Sequence, residues 1–207
     1  PVIIDNGANT AVIGEMLFGS GKGRKNIAYF NCGVGIRTGV ISLGHIVRSI
    51  NDAEDAFGHM VININGEMCS CGSRGCIESY ASSVAILEHY CSETQNKLAR
   101  TSLKKICASA DKYPGAARDV ISNAAHIFGI GLANYINLLN PGLVILSGPT
   151  ISFSRLFYQV STDVANKRNY LKNERNVSFS KGGVFKENAI AIGAAALFFE
   201  SYINSSF

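Results

Sequence analysis

The stretch NPGLVILSG, residues 140–148, decides the fold class. Asn-Pro-Gly is a turn, and four apolar residues in a row, Leu143 to Leu146, follow it before Ser147 and Gly148 close the run. A strand exposed on one side alternates apolar with polar, whereas an unbroken run of this length marks a strand covered on both faces, as in an α/β sheet.

Helical periodicity flanks that strand on both sides. From Ala116 to Asn137 the apolar positions Ala117, Val120, Ile121, Ala124, Phe128, Leu132 and Ile136 recur at three- and four-residue spacing. Residues 153–168 predict a second helix with Phe153, Leu156, Phe157, Val160 and Val164 inward, 177–180 (VSFS) a last strand, and 189–202 a last helix. Upstream, 2–5 (VIID) predict a short buried strand, 11–18 a helix, and 27–47 a glycine-punctuated hairpin. Residues 60–64 (MVINI) predict another strand, a helix begins near Ser79 with Val84, Leu87 and Cys91 on one face, and 96–110 predict one more. The pattern is a single α/β lobe with docking helices.

Composition narrows the classes. In 207 residues, 47% are hydrophobic and 16% charged, which excludes a disordered or low-complexity chain. The formal charge of +4 is dispersed, and no recognition helix stands out, so this chain itself is not expected to contact DNA specifically. The apolar run 189–199 is about half a bilayer span, so no membrane segment is expected. No secretory signal is visible either, and the absent initiator methionine points to a processed or partial chain.

Six cysteines fit three disulfides of a secreted protein, but their distribution favours a cytoplasmic chain with one metal site and three free thiols. Cys69, Cys71 and Cys76 fall within CSCGSRGC (69–76), while Cys32, Cys91 and Cys107 are scattered. Three thiolates in one tight loop suit a soft tetrahedral ion, and Gly72 and Gly75 let the backbone wrap around it. A strand out and a loop back would return the chain to His59, which makes a closed structural Zn²⁺ site of His59, Cys69, Cys71 and Cys76. With four protein ligands no position is left open to activate water.

Other candidates are weaker alone. The glycine stretch NCGVGIRTG (31–39) is either a phosphate cradle or a structural turn, and GSGKGR (19–24) has the wrong spacing for a P-loop. Asp5, Asn6, Asn9, Glu15, His59 and Glu78 are candidate polar ligands. Asp5 alternatively caps the following helix, and Glu78 alternatively sits at a helix amino terminus, where a carboxylate meets the dipole. No nucleophile elbow or glycosidase acid pair is present.

The sequence resembles the ROK family of bacterial repressors and sugar kinases. The likeness rests on GHM (58–60) followed by CSCGSRGCIESYAS (69–82), with IIDNGANTAVIGE (3–15), CGVGIRTGVISLG (32–44), NPGLVILSG (140–148) and AIGAAAL (191–197) in family order. It implies an actin-like, ribonuclease-H-like ATPase fold, of which residues 1–207 would form mainly the second lobe and the returning C-terminal helix, with the zinc loop at 59–76. Most of the first lobe, and any DNA-binding domain, would lie outside this chain.

Departures from the family pattern separate kinase from repressor. Asn6 matches the family's Asn, but the catalytic-base position after it is Gly7, which cannot accept a sugar hydroxyl proton. No catalytic residue is therefore assigned. Ala56 replaces a sugar-binding Glu, with Glu54 and Asp55 its nearest carboxylates; Ser147 begins the nucleotide-side glycine pair; and Arg37 stands where the family has another glycine. The resemblance leaves Asn6, Asn9, His59 and Glu78 as sugar ligands. It implies a sugar-sensing, oligomerising region of a transcriptional regulator without kinase activity. A carbohydrate or phosphorylated sugar would be the effector, a homodimer or homotetramer the assembly, and DNA would be reached only through a domain absent here. An ATP-dependent sugar kinase or a degenerate sugar-binding protein are the alternatives.

Overall fold

The computed structural model describes residues 2–48, 56–95, 101–174 and 176–204, the last six of them in backbone only. In chain order the elements are helix α1 (Gly7–Phe18), strands β1 (Ile27–Cys32), β2 (Ile36–Ser42) and β3 (His45–Ile46), then helices α2 (Glu78–Ala81), α3 (Ser83–Thr94), α4 (Leu103–Lys112) and α5 (Ala116–Leu139). Strand β4 (Leu143–Ser147), helices α6 (Pro149–Phe153) and α7 (Arg155–Arg168), strand β5 (Ser178–Lys181) and helix α8 (Ala189–Asn204) complete it.

The strands form one mixed sheet in the order β3-β2-β1-β4-β5. β1, β2 and β3 pair antiparallel as a meander, and β4 and β5 add in parallel through helical crossovers. Alternation along the two central strands explains the layering. Ala28, Phe30, Val144 and Leu146 face one core with Ile121, Phe128 and Phe157. Ile27, Tyr29, Leu143 and Ile145 face the other, with Ala8, Val12, Ile13 and Leu197. Every residue of β4 is buried, as a strand sandwiched between helical layers requires.

Helices α1 and α8 cross with almost no side chain between them. A Cβ on Gly14 would stand 3.0 Å from the Gly193 Cα, and one on Gly193 would run into the Thr10 carbonyl. Opposite, Phe30, Phe57, Phe128 and Tyr135 meet edge-on, with ring centroids 4.7 Å apart for Phe30–Phe57 and 5.7 Å for Phe57–Phe128. Phe57 thereby nails the segment that leads to His59 onto the core.

Several expectations change. Residues 2–5 form no strand: Val2 and Ile4 are 90% and 91% exposed, and among the described residues no strand pairs with them. Residues 60–64 contribute only an isolated bridge, Val61 to Cys76, because Asn63 folds the chain locally, its side chain accepting from Asn65 N–H and its carbonyl from Gly66 N–H. In α3 the buried positions are Ser83, Ala85 and Ile86, while Val84 is exposed and Leu87 and Cys91 only half-buried. Phe153 ends α6 exposed instead of opening α7, since Ser154 caps α7 by accepting from Phe157 N–H. Of the expected helix at 96–110, residues 96–100, like Glu54 and Asp55, lie outside the described residues, and α4 starts behind the Ser102 cap. The helix expected from Ala11 starts earlier, at Gly7, because Asn6 caps it.

Candidate metal centre and ligand cavity

The loop from Gly58 to Glu78 is a folded-back ribbon. Ile62 N–H donates to the Gly75 carbonyl, Ile77 N–H to Met60 and Glu78 N–H to Gly58, which zips the arm carrying His59 against the arm carrying Cys76. At the far end Cys69 N–H donates to Ser73 and Gly72 N–H to Cys69, making the tight turn that presents two thiols. Gly75 adopts a positive φ of 74°, and a side chain there would strike the Asn63 carbonyl.

This zipping brings the four expected ligands together. The ligand atoms of His59, Cys69, Cys71 and Cys76 all lie within 4.8 Å of one another. Ligands ~2.3 Å from a common centre at tetrahedral angles stand ~3.7 Å apart. The observed separations are 3.7 Å for Cys71 Sγ to Cys76 Sγ and 3.5 Å for Cys69 Sγ to His59 Nδ1. Sulfurs at that distance are not bonded to each other, and all six cysteines are free thiols. The electrostatics agree. The Ser73 backbone N–H lowers the Cys71 thiol to about 7, while burial beside the other sulfurs pushes Cys76 up to about 12. Thiolates can collect here only if a cation joins them. The donor set therefore fits a tetrahedral metal ion. Outside the cluster, burial raises the thiols of Cys32 and Cys107, the latter to about 12, and leaves them unreactive.

The remaining candidates fall in separate places. Glu78 is the first residue of α2, and its Oε2 accepts from Ile36 N–H at 2.8 Å with Arg37 Nη1 at 3.4 Å. It lines a cavity of about 450 Å³ between the β1–β2 turn and the metal loop. Asn6 Oδ1 caps α1 by accepting from Ala8 N–H, and fully buried Asn9 donates to Asp5 Oδ1. Neither lines that cavity. β2 spans the gap, with Ile36 on Glu78 and Gly39 against Ala8 and Asn9, about 10 Å of strand apart.

Asp5 does not cap α1 through Ala8. It accepts instead from Asn6 N–H, Asn9 and both Nε and Nη2 of Arg48. Burial opposes its ionisation, but these hydrogen bonds outweigh it and hold the carboxyl below the usual range. Glu15 is no ligand for the cavity. Fully buried, it accepts from Ser20, Val184 and Phe185 N–H and ties α1 to the loop before α8. That loop walls a second cavity of about 460 Å³ at the carboxyl ends of β1 and β4, with Tyr29, Asn31, Ser147 and Lys186 around it. Sequence reasoning missed the Arg37–Glu78 contact and the Phe57 anchor, both of which join residues far apart in the chain. Among the described residues no helix is long and apolar enough to cross a membrane.

A model described as the ROK family matches residues 1–201. The chain is 33% identical over 206 residues to the xylose repressor of Bacillus subtilis (strain 168), covering 99% of this chain and 52% of the repressor. It is 34% identical over 160 residues to a glucokinase of Halalkalibacterium halodurans, covering 72% of this chain and 48% of the kinase. The solved ROK family glucokinase from Streptomyces griseus, in complex with glucose and AMPPNP, superposes with a TM-score of 0.82 at 26% identity, covering 95% of this chain and 68% of that one. The chain spans about half the length of the curated relatives it matches. The mixed sheet with helices on both faces is the actin-like sugar-kinase architecture, shared by repressors and kinases.

Proposed function

The chain belongs to the ROK family, and from that premise we propose that it is the sugar-sensing lobe of a transcriptional regulator that binds a sugar without phosphorylating it. Gly7 carries this reading. It occupies the position where the family's kinases hold the general base, and hydrogen offers no proton acceptor. Packing does not demand a glycine there. A Cβ on Gly7 would meet only Ile190, at 3.4 Å and beyond, an ordinary contact. Ala56, in place of a sugar-binding carboxylate, points the same way.

Asn6, Asn9, His59 and Glu78 are the proposed sugar ligands, with Glu78 on the wall of the cavity beside the metal loop. Zinc is the proposed ion, held by His59, Cys69, Cys71 and Cys76. When bound it supplies structure, by cross-linking both arms of the ribbon and so fixing Glu78. The chain would act as the C-terminal part of a sugar-sensing domain in a cytoplasmic homodimer or homotetramer, with DNA contacted by a segment outside these 207 residues.

The second reading is an ATP-dependent sugar kinase. The close superposition on a glucokinase solved with glucose and AMPPNP favours it, and it would require a base other than residue 7. Binding is the first test of the shared premise. Calorimetric titration of the full chain with D-xylose and D-glucose is expected to show saturable binding of at least one sugar with no nucleotide present. No binding of any neutral pentose or hexose would reject sugar sensing.

A further inference from the structure

The β1–β2 turn has the composition of a phosphate cradle, but two of its amides are already engaged. Gly33 N–H donates to the Gly35 carbonyl at 3.0 Å, and Ile36 N–H donates to Glu78 Oε2 at 2.8 Å. Arg37 Nη1 lies 3.4 Å from that same oxygen. Both side chains sit directly over the turn: a Cβ on Gly35 would meet Glu78 Oε2 at 2.9 Å and the Arg37 guanidinium as well. The Glu78 side chain is only 14% exposed. Glu67 and Glu88 add two further carboxylates to the cavity wall, against Arg37 and His89.

We propose that the Arg37–Glu78 pair closes the glycine turn to phosphate and turns it into a holder for a sugar-binding carboxylate, so that the cavity takes an uncharged polyhydroxyl ligand and excludes nucleotide and sugar phosphates. A phosphate approaching the turn meets the Glu78 carboxylate where it needs the Ile36 amide, and like charges at such range repel. A hydroxyl donor finds the opposite. A carboxylate offers about four acceptor positions, and the backbone amide and guanidinium use only one oxygen. Arg37 is thus a positioning residue, acting on ligand through Glu78. This rests on the sugar-binding reading above, and it resolves the choice between a neutral and a phosphorylated effector.

Calorimetry on the full chain with inorganic tripolyphosphate, D-xylose and D-glucose 6-phosphate tests it, beside Glu78→Gln, Arg37→Gly and Arg37→Lys. The wild type is expected to bind tripolyphosphate at least tenfold more weakly than Glu78→Gln, and to prefer the neutral sugar to the sugar phosphate. Arg37→Gly is expected to lose at least tenfold in D-xylose affinity with an unchanged melting transition, and Arg37→Lys to recover part of it. Tripolyphosphate binding by the wild type as tight as by Glu78→Gln overturns the closed turn. Equal D-xylose affinity in wild type and Arg37→Gly overturns the positioning role. The phosphate contrast without any sugar binding overturns the sugar reading alone and leaves the closed turn standing. If Glu78→Gln fails to melt cooperatively, wild-type preference for D-glucose 6-phosphate over neutral sugar is the result that overturns exclusion.

Discussion

Two single positions carry testable weight. Gly7 opens α1 without a steric reason to be glycine, and a carboxylate in the first helical turn meets the positive end of the dipole. Gly7→Asp is therefore expected to raise unfolding stability by about 0.5–1 kcal/mol in denaturant titration; a loss of stability would show that the site tolerates no side chain. Asp111, at the end of α4, caps α7 from outside it. Its oxygens accept from Ser154 Oγ and from Arg155 and Leu156 N–H. Burial opposes ionisation, but these donors prevail and lower its pKa. A native pKa depressed in this way stabilises fully above the unfolded value near ~4. That stabilisation fades as pH falls through the native value. Asp111→Asn is expected to cost about 1 kcal/mol at pH 7, and the gap to wild type should narrow below about pH 4. A gap independent of pH would remove the charge from the account.

Elements depend on contacts that no single position announces. The α1–α8 crossing is as close as the backbones permit, because Gly14 and Gly193 face each other. Gly193→Leu is expected to cost about 3 kcal/mol or more by forcing the helices apart, measured as a shift in the urea midpoint; a neutral result would mean the helices already have room. The ribbon carrying His59 and the three thiols depends on its ion. Cys71→Ser is expected to lower metal content from close to one zinc per chain to a small fraction in elemental analysis. It should also lower stability by at least ~2 kcal/mol, roughly 4–8 °C in melting temperature. Retained zinc with an unchanged transition would reject the assignment. The Phe57 anchor shows why the ribbon holds its place without regular secondary structure: edge-on aromatic contacts to Phe30 and Phe128 fix one arm before the metal fixes the other.

At the scale of the molecule, the sequence is legible where a pattern is local. Leu143–Leu146 read as a strand covered twice, and both cores confirm it. The hairpin, α5, α8 and the His59–Cys76 cluster follow from spacing within one segment. Residues 2–5 and 60–64 read as strands from apolar content alone, yet a strand exists only where another offers a ladder, and neither has one among the described residues. The Arg37–Glu78 pair joins positions 41 residues apart and could not be read from spacing. Asn6 and Asn9 stand about 10 Å of strand from Glu78 across β2, a separation that tertiary geometry sets and spacing does not announce. The central claim is that this lobe binds sugar and transfers no phosphate. Its most direct test is an assay of ADP and sugar phosphate formed by the full chain with saturating MgATP and a bound sugar. Turnover indistinguishable from the sugar-free background is the predicted result, and robust, sugar-dependent turnover would contradict the account.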